Sequence, residues 1–418
     1  MTLIEMFDRT PVENIITALA LKPDRVIYVG SDSRRAKRAI PNYERILENR
    51  GISTRLMVRS VAKNDLEGIL ESLNGIFDDP DEDSFIIDIS GGDESSLVAV
   101  GMILGGNAVY ENKRISAFRI NPVSRRGVLF DMKNDGGKIS VNRTVCDFSD
   151  GSQVYLTVEE DVILHGGKVL DRGVKFRRGD AVERDIDTMW HLCWSSDKNW
   201  NTEIGRISAA ISRYTDDNEL YVISDEAYRK GRNQVNKKLI DRFTDEGFIL
   251  PVKREGDLLT FRFKNTIVKE CLTKAGSLLE YYTYKSALAV QKDGRYVYDD
   301  AEVGVVIAWD DDVDGTRNEI DCMTMSGMIP VFISCKNGNV ETDELYKLDA
   351  VADRFGHEYA KTALASTIFF DEDHYSYDGD MAAKNLKNRA DDMGIRLLSK
   401  LHQVSAGRFE KQLAGLVG

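Results

Sequence analysis

Several signatures that usually disclose a protein's chemistry are missing from this 418-residue chain. Its five cysteines, at 146, 193, 271, 322 and 335, form no CxxC pair, which argues against a disulfide framework and fits a reducing cytoplasm. The histidines, at 165, 191, 357, 374 and 402, show no HxxxH-type metal spacing. No P-loop, GxGxxG fingerprint or nucleophile elbow occurs. No run of 18 apolar residues exists, so no membrane-spanning helix and no membrane partner is expected. The opening MTLIEMFDRT lacks a basic segment followed by a long apolar one, so no signal peptide is expected. Positive charge is short as well: 69 acidic against 56 basic residues give −13, which disfavours tight sequence-independent DNA binding. Any nucleic-acid contact has to come from local patches, such as Arg34, Arg35, Lys37 and Arg38, or Arg125 and Arg126. The acid clusters Asp78–Asp83, Asp310–Asp314 and Asp371–Asp378 read as solvated loops.

What is present is a βαβα rhythm. Residues 1–145 alternate apolar strands (Thr2–Phe7, Arg25–Val29, Thr54–Val58, Phe85–Ile89, Ile115–Ile120) with helices near Val12–Ala20, Arg35–Arg50, Asp65–Phe77 and Ser95–Leu104. This predicts an α/β fold with a doubly wound sheet, whose ligands bind at the loops leaving the C-terminal strand ends. Two such loops stand out, Phe7-Asp8-Arg9-Thr10-Pro11 and Ser90-Gly91-Gly92-Asp93-Glu94-Ser95. A Gly-Gly pair before a helix lets backbone N–H groups approach a phosphate, and the helix N-terminus adds a favourable field. A tight turn capped by Asp or Ser accounts for the same residues without a ligand. Residues 128–180 switch to short strands punctuated by Gly and Asp, without clear helices. Further on, a helix over Gln234–Phe243 ends at Gly247, and strands Ile249–Val252 and Leu258–Phe263 flank a turn at Gly256-Asp257. This reads either as a winged-helix element or as a plain connector subdomain. Trp190, Trp194 and Trp200 read as core or dimer packing at the junction.

The stretch DAEVGVVIAWDDDVDGTRNEIDCMTMSGMIPVFISCKNG, residues 300–338, reads as strand, turn and hairpin. Asp321 is expected to leave the first hairpin strand and Lys336 to end the second. Val331, Ile333 and Cys335 alternate with Phe332, Ser334 and Lys336, which turns the first set to the core and puts Lys336 on a face with Ser334. A carboxylate and a lysine at adjacent strand ends are what a metal-dependent phosphodiesterase needs. The carboxylate holds a divalent cation that activates water, and the lysine supports the nucleophile or the developing charge. Asp321 as a turn cap and Lys336 as a solvated edge lysine are the plainer readings.

At these residues the chain resembles the PD-(D/E)xK nuclease superfamily, and more closely the CARF-domain nuclease effectors of type III CRISPR systems. The likeness rests on the helix GSLLEYYTYKSAL, the hairpin NEIDC…FISCKNG, the helix that follows and RADDMGIRLLS, together most of residues 275–400. The order of the N-terminal loops is similar to that of a CARF domain, although DISGGDESS carries Asp93 and Glu94 where many such domains continue into Thr-Lys. The resemblance implies a CARF-like (Rossmann-like) sensor over 1–145, the connector over 146–270, and a PD-(D/E)xK, restriction-endonuclease-like nuclease over 271–418. It implies a cytoplasmic homodimer that cleaves single-stranded RNA or DNA, or supercoiled DNA, with Mn²⁺ or Mg²⁺. The trigger it implies is cyclic oligoadenylate, cyclic tetra-adenylate foremost, whose twofold symmetry suits a dimer. Ligand contacts would fall on Asp8, Arg9, Thr10, Ser31, Ser90, Gly91, Gly92 and Asp93.

Glu280 joins Asp321 as a metal ligand through the match to LLEYYTY alone. The superfamily signature has an acid two residues before its lysine; here that position is Ser334, a poor ligand for a hard cation. Compensation is expected from Glu341 or Glu344 in the next helix, or from the carbonyl of Cys335, with Glu319 next in line. The candidate metal set is therefore Glu280, Asp321, Cys335 and Glu341, with Lys336 supporting the nucleophile or the developing charge. The alternative function is a ligand-gated transcription regulator with a degenerate nuclease fold, its basic helix drawn from Arg229, Lys230, Gly231, Arg232, Lys237 and Lys238.

Overall fold

Two large sheets share one hydrophobic core in the computed structural model, which describes residues 1–106, 113–135, 138–149, 154–195, 200–215, 219–228, 234–308, 317–338, 340–367 and 377–417. The first sheet is built from β1 (Thr2–Met6), α1 (Ile16–Leu21), β2 (Arg25–Gly30), α2 (Ser33–Asn49), β3 (Arg55–Ser60), α3 (Leu66–Phe77), β4 (Ser84–Asp88), α4 (Glu94–Gly105) and β5 (Arg114–Asn121). These strands run parallel in the order β3-β2-β1-β4-β5, so the winding reverses between β1 and β4, the place where such sheets take ligands. Strand β1 is buried along its whole length because helices cover both faces: α1 and α2 on one, α3 and α4 on the other. The helices begin where a carboxylate can cap them. Asp32, Asp65 and Asp93 accept the backbone N–H of Arg35, Gly68 and Ser96.

Residues 128–180 differ from the sequence reading. Strands β6 (Arg126–Asp135) and β7 (Lys138–Asp147) form one long antiparallel hairpin that extends the first sheet past β5. A helix was not expected here, yet α5 (Val158–Leu164) follows. Its cause is legible in Thr157-Val-Glu-Glu160: Thr157 Oγ1 accepts the Glu160 N–H at 3.1 Å and Glu160 Oε2 accepts the Thr157 N–H at 2.8 Å, a capping box. Every residue of α5 except Glu159 is buried.

The middle of the chain contributes β8 (Lys168–Asp171), α6 (Val182–Ser195), α7 (Trp200–Ala210), β9 (Ile211–Thr215), β10 (Leu220–Ile223), α8 (Lys237–Asp245), β11 (Ile249–Glu255), β12 (Leu258–Phe263) and α9 (Thr266–Thr273). Strands β11-β12-β10-β9 make a four-stranded sheet, with α8 closing at Gly247 (φ +74°) ahead of the β11–β12 wing. Of the basic helix that a regulator would use, Arg229, Lys230, Gly231 and Arg232 lie outside the described residues, and Lys237 is paired with Asp257. The tryptophans pack: Trp190 stacks on Tyr282 at 4.3 Å, and Trp200 meets Phe243 edge-on.

The C-terminal part is α10 (Ser277–Ala289), β13 (Gln291–Lys292), β14 (Arg295–Tyr296), β15 (Asp300–Ala308), β16 (Arg317–Ser326), β17 (Ile329–Lys336), α11 (Thr342–Gly356), β18 (Lys361–Ser366), α12 (Tyr377–Asp392), β19 (Arg396–Leu398) and α13 (Ala406–Ala414). Its sheet has the order β19-β18-β17-β16-β15-β8, taking its edge strand from residues 168–171. Val331, Ile333 and Cys335 face the core beneath α10, whereas Phe332 faces the second core, shared with α11, α5 and the N-terminal helices.

Arg50 at the end of α2 reaches Glu160 of α5, Nε to Oε1 2.9 Å, with side chains only 10% and 7% exposed, and stacks over Tyr155 at 4.0 Å. Arg50→Met strands a buried carboxylate and is expected to destabilise the fold by about 3 kcal/mol. Urea denaturation of the two proteins measures this, and a loss below about 1 kcal/mol would count against the pair as a structural link.

Candidate active site

The ladder between β16 and β17 runs from Ser326↔Ile329 to Cys322↔Ile333 and stops there. Asp321, expected to leave its strand, instead lies within β16 as the first residue past that ladder. Its carboxylate fills the gap between the parting strands. Asp321 Oδ2 accepts the Cys335 N–H at 2.6 Å, the Ser334 hydroxyl at 3.2 Å and Lys336 Nζ at 3.4 Å. The backbone donor that pairing would have used is therefore spent on fixing the carboxylate.

Lys336 Nζ has a second partner, Glu344 Oε2 on α11, at 3.2 Å. Burial works against the ammonium, but Asp321 and Glu344 more than offset it and hold the pKa above its ordinary value. Glu280 stands in the first turn of α10. Burial, reinforced by the negative charges of Asp321 and Glu319, pushes its carboxyl up to about 8 against the pull of Lys336 and Lys274. Without a cation, Glu280 keeps its proton at neutral pH.

The structure brings Asp321, Ser334, Lys336 and Glu344 into contact, with Glu280 and Glu319 in electrostatic reach. Glu341 is not among them. It is the exposed residue before α11, its side chain makes no cap bond, and its carbonyl accepts the Glu344 N–H at 3.1 Å, so the helix turns Glu344 rather than Glu341 toward Lys336. Of Cys335, expected to ligate through its carbonyl, the N–H is given to Asp321 and the thiol turns away, 3.5 Å from Thr283 Oγ1, its pKa pushed well up by burial. Among the described residues no group of three or more His, Cys, Asp and Glu is arranged to hold a metal ion. The chemistry of the donors does fit one. Glu280, Glu319 and Asp321 are hard oxygen ligands whose mutual repulsion a divalent cation would relieve. The sequence held no sign of Asn201 on α7, which donates from Nδ2 to the backbone carbonyl of Asn337, directly after Lys336, and accepts Asn337 Nδ2 on Oδ1 at 2.9 Å, while Thr367 donates to Asn337 Oδ1 at 2.9 Å.

In the N-terminal layer, Asp8 ties the two loops together: Oδ1 accepts the Thr10 N–H at 2.9 Å and Oδ2 the Gly92 N–H at 3.0 Å. The glycines serve this junction. A Cβ on Gly91 would stand 2.8 Å from Asp8 Cβ, and one on Gly92, whose φ is +98°, 2.7 Å from Met6 Cβ. Asp93 spends its carboxylate capping α4, and Ser90 Oγ accepts the Ile120 N–H at 2.9 Å. Arg9, Thr10 and Ser31 remain: the Thr10 N–H is held by Asp8 and the Arg9 carbonyl by Arg35, but the three side chains make no hydrogen bond among the described residues. Beneath the loops Glu5 and Asp88 face each other across β1 and β4, fully buried, and burial raises both pKa values.

Residues 270–397 match the family model of the Card1-like endonuclease domain. The C-terminal part of this chain is accordingly an endonuclease domain of the Card1-like kind. Over its whole length the chain shares the fold of protein VC1899 from Vibrio cholerae, with a TM-score of 0.68 at 15% identity over 99% of this chain and 97% of that one. It also shares it with Can2 from Sulfobacillus thermosulfidooxidans, solved in complex with cyclic tetra-adenylate, with a TM-score of 0.62 at 17% identity over 100% of this chain and 97% of that one. No curated protein matches the chain in sequence.

Glu344→Gln should lower the pKa of the Lys336 ammonium, and Glu341→Gln should leave it unchanged, as read by NMR of ¹³C-labelled lysine. Equal pKa values in all three proteins would mean that Glu344 does not hold the lysine in solution.

Proposed function

We propose that this chain is a metal-dependent endonuclease of type III CRISPR defence that hydrolyses RNA or DNA phosphodiesters when cyclic oligoadenylate, cyclic tetra-adenylate in particular, binds its N-terminal sheet. Residues 1–145 are the sensor, 146–270 the connector and 271–418 the nuclease. The observation that carries this reading is the contact of Asp321 with Lys336 beside a Glu280 carboxyl that burial, reinforced by Asp321 and Glu319, holds protonated, inside a Card1-like endonuclease domain. Glu280 and Asp321, with Glu319 nearby, would hold Mn²⁺ or Mg²⁺. The cation, when bound, supplies the charge that neutralises the scissile phosphate and acidifies water. Lys336, kept protonated by Asp321 and Glu344, stabilises negative charge developing on the phosphate oxygens. Ser334 and the Cys335 N–H hold the Asp321 carboxylate in place.

The sensing half rests on the reversal of winding between β1 and β4, on the uncommitted side chains of Arg9 and Thr10 after β1 and of Ser31 after β2, and on the same fold in Can2, which was solved with cyclic tetra-adenylate. A homodimer suits a ligand with twofold symmetry. An exposed apolar face formed by Leu97, Val98 and Met102 of α4 with Ile139, Val141 and Val145 of β7 gives it a surface, the two elements meeting where Gly105 approaches Ile139. No helix among the described residues is long and apolar enough to cross a membrane. The cysteines are unpaired and all but Cys146 are buried, which fits the cytoplasm.

Asp321→Ala should abolish Mn²⁺-dependent cleavage and leave cyclic tetra-adenylate affinity unchanged, the loss of one metal carboxylate costing several kcal/mol of transition-state stabilisation. Cleavage at the unmodified rate would remove Asp321 from the site. Arg9→Ala should raise the ligand concentration needed for activation without altering the fully activated rate, and constitutive activity without ligand would rule out gating. Glu280 titrates at about 8, so its proton must leave when a cation binds. Mn²⁺ binding at pH 7 should release about one proton per site, falling toward zero above about pH 9, and Glu280→Gln should release none. Calorimetry in buffers of different ionisation enthalpy reads this directly, and proton release that persists in Glu280→Gln would assign the proton to another group.

A further inference from the structure

The connector does more than join the two layers. Its helix α7 buries Trp200, Ile204 and Ile207 in the core cluster that also holds Ile333 and Cys335 of β17. That packing brings the first turn of α7 to the point where the chain leaves the sheet, just beyond Lys336. Residue 201 lies outside the segment 270–397 that matches the Card1-like endonuclease domain, so the match assigns it no role.

The strand end needs an anchor. The ladder of β17 to β16 stops at Cys322↔Ile333, so Lys336 keeps a neighbouring strand on one side only. There its partner is Ser366 of β18, and the Thr367 N–H reaches the Lys336 carbonyl at 3.3 Å. Asn337, the next residue, is then tied down by its own backbone and side chain together. Its carbonyl accepts Asn201 Nδ2, its Nδ2 donates to Asn201 Oδ1 at 2.9 Å, and its Oδ1 accepts the Thr367 hydroxyl at 2.9 Å. The chain continues past the same amide, since a Cβ on Gly338 would stand 3.9 Å from Asn201 Nδ2. Two of these three bonds come from a residue 136 positions away in sequence, on another subdomain.

We infer that Asn201 of the connector is a positioning residue for phosphodiester cleavage, fixing the backbone from which Lys336 reaches the reacting phosphate. This rests on the function proposed above. Lys336 Nζ stands 3.4 Å from Asp321 and 3.2 Å from Glu344 at the tip of a flexible four-carbon stem, and such a stem keeps its aim only if its root is held. A displacement of about 1 Å in a catalytic group can cost about 100-fold in rate. Among the described residues Asn201 makes no hydrogen bond to Glu280, Glu319 or Asp321. Its loss therefore acts on the lysine and spares the carboxylates that would hold the cation.

Steady-state cleavage of a supercoiled plasmid and of a single-stranded RNA by the full chain tests this, at saturating Mn²⁺ and cyclic tetra-adenylate. Asn201→Ala should lower kcat at least about tenfold on whichever substrate is cut, with KM within about twofold of the unmodified protein. Calorimetry should find its Mn²⁺ affinity also within about twofold, because the metal carboxylates are untouched. Arg206→Ala is the control: it lies on the same helix, is paired with Glu203, and should leave kcat unchanged. If α7 served only as scaffold, Arg206→Ala would cost as much as Asn201→Ala. The inference fails if Asn201→Ala keeps its kcat, if KM or Mn²⁺ affinity carries the whole loss, or if Arg206→Ala matches it. Cleavage of neither substrate by the unmodified protein would overturn the proposed function and this inference together, whereas the other failures overturn this inference alone.

Discussion

Helix α5 is the constraint on which the two-layer arrangement depends. Its seven residues are buried on nearly every side, against α2 of the first layer and against β15, β16 and α11 of the second. A segment that short has little intrinsic helical stability, so the capping box and the tertiary packing must hold it together. Its burial also makes the core continuous: Tyr28 and Leu47 of the N-terminal layer belong to the same cluster as Phe332 and Leu345 of the nuclease. A displacement at the sensor loops therefore meets the nuclease through close-packed side chains, which transmit strain because they cannot compress. Arg50 and Glu160 fix the register of that contact by charge.

The candidate catalytic centre is governed by a shortage of positive charge. Three carboxyl groups, Glu280, Glu319 and Asp321, lie in mutual electrostatic reach with Lys336 as their principal cation. The protein meets this by keeping Glu280 protonated and by surrounding Asp321 with three donors. The arrangement on α11 adds a control point, because Glu344 competes with Asp321 for the same ammonium.

Much of this fold could be read from the chain because its signals are local. Buried parallel strands appear as continuous apolar runs, and Asp32, Asp65 and Asp93 mark helix starts by chemistry that needs no tertiary context. Helix α5 carried an equally local signal in its capping box, hidden by the Gly-rich segments on either side. The choice between Glu341 and Glu344 was not local. It turns on whether α11 begins before or after residue 341, and a shift of one residue rotates every side chain by about 100°. Asp321 lies inside β16 because the ladder to β17 ends at Cys322, a matter of pairing that alternation along one strand does not reveal. Asn201 meets Asn337 across 136 positions, and no spacing rule reaches over such a distance.

Ser334 bears on how the protein is made as well as on what it binds. An acid at that position would add a fourth carboxylate against Asp321, Glu280 and Glu319, and the newly made chain would have to bury it before any metal arrived. The hydroxyl donates to Asp321 instead, at 3.2 Å, turning a repulsion into a bond. The fold can therefore close over Asp321 without a fourth negative charge, and the cost of gathering carboxylates falls on Glu280, Glu319 and Asp321 alone.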